Sequence, residues 1–82
     1  MTAYNIMAIV LDRRSKNAPE VQSLLTKYGC IIRVRLGLHE AGNACSEEGL
    51  ILLQLVGEEE DINQFESELN NMKGVRAKRI QI

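Results

Sequence analysis

The chain has 82 residues, 45% of them hydrophobic, and its ten basic and eleven acidic side chains leave a formal charge of −1. That makes one small domain without the basic excess of a nucleic-acid-binding surface, and no apolar run approaches the roughly 20 residues that span a bilayer. No basic start followed by an apolar segment and a small-residue cleavage site is present, and two cysteines are too few for a disulfide framework, so a cytoplasmic protein with reduced thiols is expected.

The first predicted element is a strand over Tyr4 to Asp12, YNIMAIVLD, apolar at both parities. Polar residues from Arg13 to Asn17 lead into a helix. Asn17 stands three residues ahead of Glu20, the capping-box spacing, and Pro19 suits the first turn. Val21, Leu24, Leu25 and Tyr28 recur along one helical face. Gly29 is expected to end this helix in the left-handed conformation, and Cys30 reads as a core residue where the next strand starts.

That second strand, Ile31 to Leu38, alternates. Ile32, Val34, Leu36 and Leu38 point one way and Arg33 and Arg35 the other, the pattern of an edge strand. A third strand, Gly49 to Val56, is apolar at both parities except for Gln54, so both of its faces need cover. Gly57 and the run Glu58, Glu59, Glu60, Asp61 open a second helix, whose positive N-terminal end favours carboxylates. Ile62, Phe65, Leu69 and Met72 form its buried stripe, and Lys73 with Gly74 closes it. In the last strand, Val75 to Ile82, the apolar residues change parity between Ala77 and Ile80. Such a change implies either a bulge or burial of each face in turn.

Strand–helix–strand, twice over, is the βαββαβ ferredoxin-like pattern: an α+β fold with an antiparallel four-stranded sheet and two helices on one face, filling residues 1–82 as a single domain. The topology places the first and third strands at the centre, and these are the strands that read as apolar on both sides. The face away from the helices keeps apolar side chains, and an exposed patch of that kind marks an interface. A homo-oligomer, dimer or tetramer, is therefore expected.

Chemistry-bearing residues gather in the loop between the second and third strands. The single histidine, His39, is followed six positions later by Cys45, with Glu40, Glu47 and Glu48 nearby. Imidazole and thiolate together suit a transition metal such as zinc, nickel or ferrous iron. No C-x-x-C pair or second histidine completes a four-ligand site, so a metal would have to be held across subunits or in an open site. A Cys–His pair also suits nucleophilic catalysis, but the sequence supplies no third orienting group or evident pocket. Arg33 and Arg35, with Arg13 and Arg14 in the loop after the first strand, can hold a carboxylate or phosphate; the same charges also discourage edge-to-edge pairing. The central strands lack the aromatic platform of an RNA-binding sheet, and no phosphate-cradling glycine loop is present.

The segments VLDRR, VQSLLTKYGCIIRVRLGLHE, EEGLILLQL and LNNMKGVRAKRIQI resemble, over nearly the whole chain, the ACT-like regulators of the iron-only hydrogenase system. The stretch GLHEAGNACSEEGLI is similar to a loop found in that group. The resemblance implies a ferredoxin-like fold and a regulatory role. ACT domains that bind amino acids share the order of elements and Asp12, but place a glycine shortly after that aspartate; RRSKNAPE has none, which argues against that mode of binding. The chain also resembles the C-terminal domain of nickel-responsive repressors, whose His and Cys spacing His39 and Cys45 match. Gly37 stands where that family has another histidine, so its four-ligand nickel site is not reproduced, and no DNA-binding ribbon–helix–helix precedes the domain.

The expectation is a non-catalytic regulatory module, a ligand-sensing or interaction unit that works as a homo-oligomer. Its candidate effector-binding residues are Arg33, Arg35, His39, Glu40 and Cys45, and its partners are itself, a small-molecule effector or a protein. Direct contact with nucleic acid or membrane is not expected. The alternatives are a metal sensor using His39 and Cys45 at a subunit interface, and a small enzyme of the dimeric α+β-barrel type with a pocket between sheets.

Overall fold

The computed structural model describes residues 4–12, 18–38 and 49–82. Strands β1 (Asn5–Leu11), β2 (Ile32–Leu38), β3 (Gly49–Leu55) and β4 (Val75–Gln81) and helices α1 (Ala18–Lys27) and α2 (Glu59–Asn70) follow one another as β1-α1-β2-β3-α2-β4. The strands form an antiparallel sheet in the order β2-β3-β1-β4. The two strands that are apolar on both sides, β1 and β3, are thus the central ones.

Both helices cover the same face. Met7 and Ile9 of β1, Ile51, Leu53 and Leu55 of β3 and Val75 of β4 form one core with Val21, Leu24 and Leu25 of α1 and Ile62, Phe65 and Leu69 of α2. Each fully buried apolar side chain of this size contributes about 1.5–3 kcal/mol, which is how stripes of three or four residues fix two short helices. Tyr28 and Met72 sit partly buried at the margin of the core. The Tyr28 ring tilts 33° against that of Phe65, with centroids 4.7 Å apart, and joins the end of α1 to α2.

Gly29 departs from the expected left-handed cap, since among the described residues the positive-φ glycines are Gly57 and Gly74. Beyond α1 the chain tightens into a 3₁₀ turn, Gly29–Ile31. Ile31 N–H donates to the Tyr28 carbonyl at 3.0 Å, and this bond ends the helix without a left-handed residue. The turn leaves Cys30 exposed, so it is not the core residue expected at a strand start. Helix α2 ends at Asn70 with a right-handed C-cap at Asn71, short of the closure expected at Lys73 and Gly74; Gly74, at φ 78°, lies beyond it in the turn before β4.

Strand β2 carries a second departure. Ile32 pairs with Leu55 but Val34 with Gln54, so Arg33 is an extra residue without a partner on β3. The shift moves Ile32 from the face of Val34 and Leu36 and packs it against the helix-side core. Simple alternation kept Ile32 with Val34; a bulge of one residue reverses the phase. In β4 the opposite happens. It pairs with β1 without a break from Asn5↔Gln81 to Leu11↔Val75, so there is no bulge, and the face that carries Ile80 and Ile82 is exposed and not buried in turn. The proposed Asn17 cap lies outside the described residues, as do Arg13 and Arg14.

Candidate functional site

Two surfaces can take a ligand or a partner. The first is the sheet face away from the helices. Ile6, Ala8 and Val10 of β1 lie in register with Gln54, Leu52 and Leu50 of β3, which in turn adjoin Val34 and Leu36 of β2. On the other side β4 adds Ile80, Lys78 and Arg76. Val34 and Leu36 are each 51% exposed and Ile80 44%, and Tyr4, Val56 and Ile82 are exposed large hydrophobics too. Apart from Gln54 and two cations at one margin, these positions are apolar, and none is acidic.

The second surface lies at the margin of the helix side. Leu11, Gln22, Arg35, Gly37, Gly49, Leu50 and Ile51 line a recess of about 280 Å³. Arg35 is opposite the buried Leu53, which puts it on the helix side of the sheet, and its Nη2 donates to Gln22 Oε1 of α1 at 2.7 Å. Arg33 is exposed at the bulge, and of the two arginines Arg35 is the one that lines the recess. Gly37 and Gly49 open the space: a Cβ at Gly37 would meet nothing within 4 Å, and one at Gly49 only Leu11 Cδ1 at 3.9 Å. His39, Glu40 and Cys45 lie outside the described residues. Among the described residues no group of three or more His, Cys, Asp or Glu side chains is placed to hold a metal ion.

Two polar clusters were not singled out from the sequence. Arg79 spends every N–H of its guanidinium. Nε and Nη2 reach Asn5 Oδ1 at 3.0 and 2.8 Å, Nη1 and Nη2 reach the two Glu59 oxygens at 2.6 and 2.7 Å, and Nη1 reaches Asn63 Oδ1 at 3.0 Å. The hydrogen bond from Arg79 holds the Glu59 carboxyl below its ordinary range, against partial desolvation, and raises the guanidinium in return. The available signal was parity: Arg79 shares the phase of Val75 and Ala77, which places it under the acidic start of α2. Side chains of α2 also cover the outer edge of β4. Asn70 pairs with both the N–H and the carbonyl of Ala77, at 2.8 and 2.9 Å, and Glu66 Oε2 accepts from Arg79 N at 2.7 Å. An edge capped in this way is closed to pairing with another strand.

The second cluster joins the helices. The Tyr28 hydroxyl donates to Glu68 Oε2, and Lys27 Nζ lies 3.4 Å from Glu68 Oε1 and 5.5 Å from the Tyr28 ring centre. The bond to Glu68, followed by burial and the negative charge of Glu68, pushes the Tyr28 phenol up to about 12. The same bond, with help from Lys27, holds Glu68 below the usual carboxylate range. Both clusters serve to lock α2 onto α1 and the sheet, and neither lines the recess.

The family model described as "TM1266-like: Iron-only hydrogenase system regulator, putative" matches residues 3–79. The chain belongs to the TM1266-like family. Its fold is similar to that of the uncharacterized protein TM1266 from Thermotoga maritima, with a TM-score of 0.85 at 24% identity over 99% of both chains. It is also similar to the ACT domain from the GTP pyrophosphokinase of Chlorobium tepidum, with a TM-score of 0.72 at 17% identity over 96% of this chain and 100% of that domain. These likenesses establish the ferredoxin-like, ACT-like architecture of this TM1266-like chain. No curated protein matches it. Among its described residues no helix is long and apolar enough to cross a membrane.

Proposed function

We propose that this TM1266-like chain is a non-catalytic regulatory module that works as a homo-oligomer and senses a small effector near the subunit boundary. The family description as a regulator and the ACT-like fold support the regulatory part. The observation that carries the assembly is the open sheet face, where Val34, Leu36 and Ile80 are exposed in register with Ile6, Ala8 and Leu52. A second copy supplies the missing cover, as sheet-on-sheet packing buries two such faces against each other. An effector bound at the boundary shifts the assembly only in proportion to its different affinity for the two states. Arg35, Arg33 and the segment from His39 to Glu48 are the residues proposed to meet it.

Native mass spectrometry on protein purified without an affinity tag or chelator tests this reading. A dimer or tetramer with a reproducible small organic mass supports it. A metal-sized increment that disappears in His39→Ala and Cys45→Ser points to a metal sensor instead, and a bare monomer overturns the proposal.

A further inference from the structure

We infer that two copies of this chain stack their open sheet faces about a twofold axis that runs along the strands, so that β4 of each copy lies over β2 of the other. The inference rests on the assembly part of the reading above and names which parts of the two faces meet. Read across the sheet from β4 to β2, the open face is a grid of rows. Ile80, Ile6, Gln54 and Val34 form one row, and Lys78, Ala8, Leu52 and Leu36 form the middle one. Arg76, Val10 and Leu50 lie in the third. The two margins of the grid differ in kind. Lys78 and Arg76 are exposed on the β4 side, whereas Val34 and Leu36, each 51% exposed, stand on the β2 side.

In aligned packing the strand directions of the two sheets stay within about 30° of each other, so the twofold axis runs either across the strands or along them. An axis across the strands lays each strand on its own copy. With that axis on the middle row, Lys78 meets the partner's Lys78, Leu52 the partner's Leu52 and Ala8 the partner's Ala8. Like charges then oppose, two large side chains collide and two small ones leave a gap. An axis along the strands reverses every row instead. Ala8 lies against the partner's Leu52, Val10 against the partner's Leu50 and Ile6 against the partner's Gln54. Smaller side chains thus face longer ones, the alternation that fills the space between two sheets about 10 Å apart. At the margins Ile80 covers the partner's Val34 and Lys78 the partner's Leu36. Strands spaced about 4.8 Å put Lys78 about 7 Å from the axis. Its aliphatic stem covers the leucine there while the ammonium group reaches past the partner's edge strand into water. The cationic margin and the bare aliphatic margin therefore fit each other, and neither fits itself.

The test is sedimentation equilibrium of the full-length wild type, Leu36→Lys, and Leu36→Lys combined with Lys78→Glu, with circular dichroism as the check on folding. Leu36→Lys sets a lysine against the partner's Lys78 and is expected to weaken association by at least about tenfold. Adding Lys78→Glu turns each repulsion into an ion pair and is expected to recover most of that loss. With the axis across the strands the double variant opposes like charges at both positions, so it should associate less than Leu36→Lys alone. That result, or a double variant no stronger than the single one, overturns the inference. A second reading needs no substitution. In oligomers mixed from isotope-labelled and unlabelled wild type, filtered NMR spectra should show the Ala8 methyl beside Leu52 methyls of the other copy, and Leu52 methyls beside their own counterparts contradict the arrangement. A wild-type oligomer that fails these tests sinks only this inference, whereas a wild-type monomer sinks the assembly and this inference with it.

Discussion

Replacing Arg79 with methionine keeps the aliphatic stem and removes the guanidinium that ties β4 and β1 to the first turns of α2. The side chain is 11% exposed and its Glu59 partner 63%, so the two ends of this cluster carry unequal weight. Solvent screens the carboxylate contact, and exposed ion pairs contribute little. The bonds to Asn5 are part-buried, and both fall on a single carbonyl oxygen. A hydrogen bond to a charged donor contributes about 1.5–3 kcal/mol, and taking this oxygen as one such partner gives a loss of about 2 kcal/mol for Arg79→Met. At about 4–8 °C per kcal/mol for a domain of this size, Tm falls by about 8–16 °C. Thermal unfolding by far-ultraviolet circular dichroism reads this directly, at fixed protein concentration because association shifts Tm. Glu59→Gln is expected to lower Tm much less than Arg79→Met. A loss under about 3 °C for Arg79→Met, or an equal loss for Glu59→Gln, refutes the assignment of the stabilisation to the Asn5 contact.

Other consequences are as open to measurement. Tyr28 keeps its proton in the fold up to about 12 against an ordinary value of 10.0, so the folded state binds the proton more tightly. Its stabilisation is complete below pH 10 and is lost as pH rises towards 12. Phenolate absorbance of Tyr4→Phe, which leaves one phenol, should therefore show a midpoint near 12, and a midpoint at 10 rules out the bond to Glu68. Glu68, with its carboxyl held low, adds stability that fades as pH falls through its folded value, and Tyr28→Phe should shrink this acid-side loss. Gly57 has φ 125°, and a Cβ there would lie 2.9 Å from Ile31 Cγ2. Gly57→Ala should cost about 2 kcal/mol or more in denaturant unfolding, while Gly49→Ala, which adds only ordinary contact, should stay within about 0.5 kcal/mol; equal effects contradict the strain at Gly57.

Much of this fold is written in apolar periodicity. The helical stripes through Val21 and Phe65 and the two-sided strands around Ile9 and Leu53 convert directly into burial, so element order and sheet order follow from them. What escaped depends on contacts between distant residues. The bulge at Arg33 has no glycine or proline to announce it and is fixed by the fit of Ile32 against the core. Gly29 looks like a helix stop of the left-handed kind, yet Ile31 closes the turn on Tyr28, a residue anchored by Phe65. Arg79 finds Asn5 across 74 positions of sequence, which no local pattern records. In the candidate site the open face was legible from β1 and β3, and Arg35 from its charge. The recess was not, because its meaning comes from two glycines and Gln22, which are far apart in the chain and individually bland.

The assembly through the open face is the claim on which the functional reading turns, and sedimentation equilibrium of wild type beside Leu52→Lys tests it most directly. Leu52 lies on that face between Ala8 and Leu36, so a lysine there puts a charge at the centre of the contact without entering the core. Wild type should sediment at two or more times the 9.2 kDa chain mass, and Leu52→Lys at 9.2 kDa with native circular dichroism. A wild-type mass of 9.2 kDa, or an oligomer indifferent to Leu52→Lys, contradicts it.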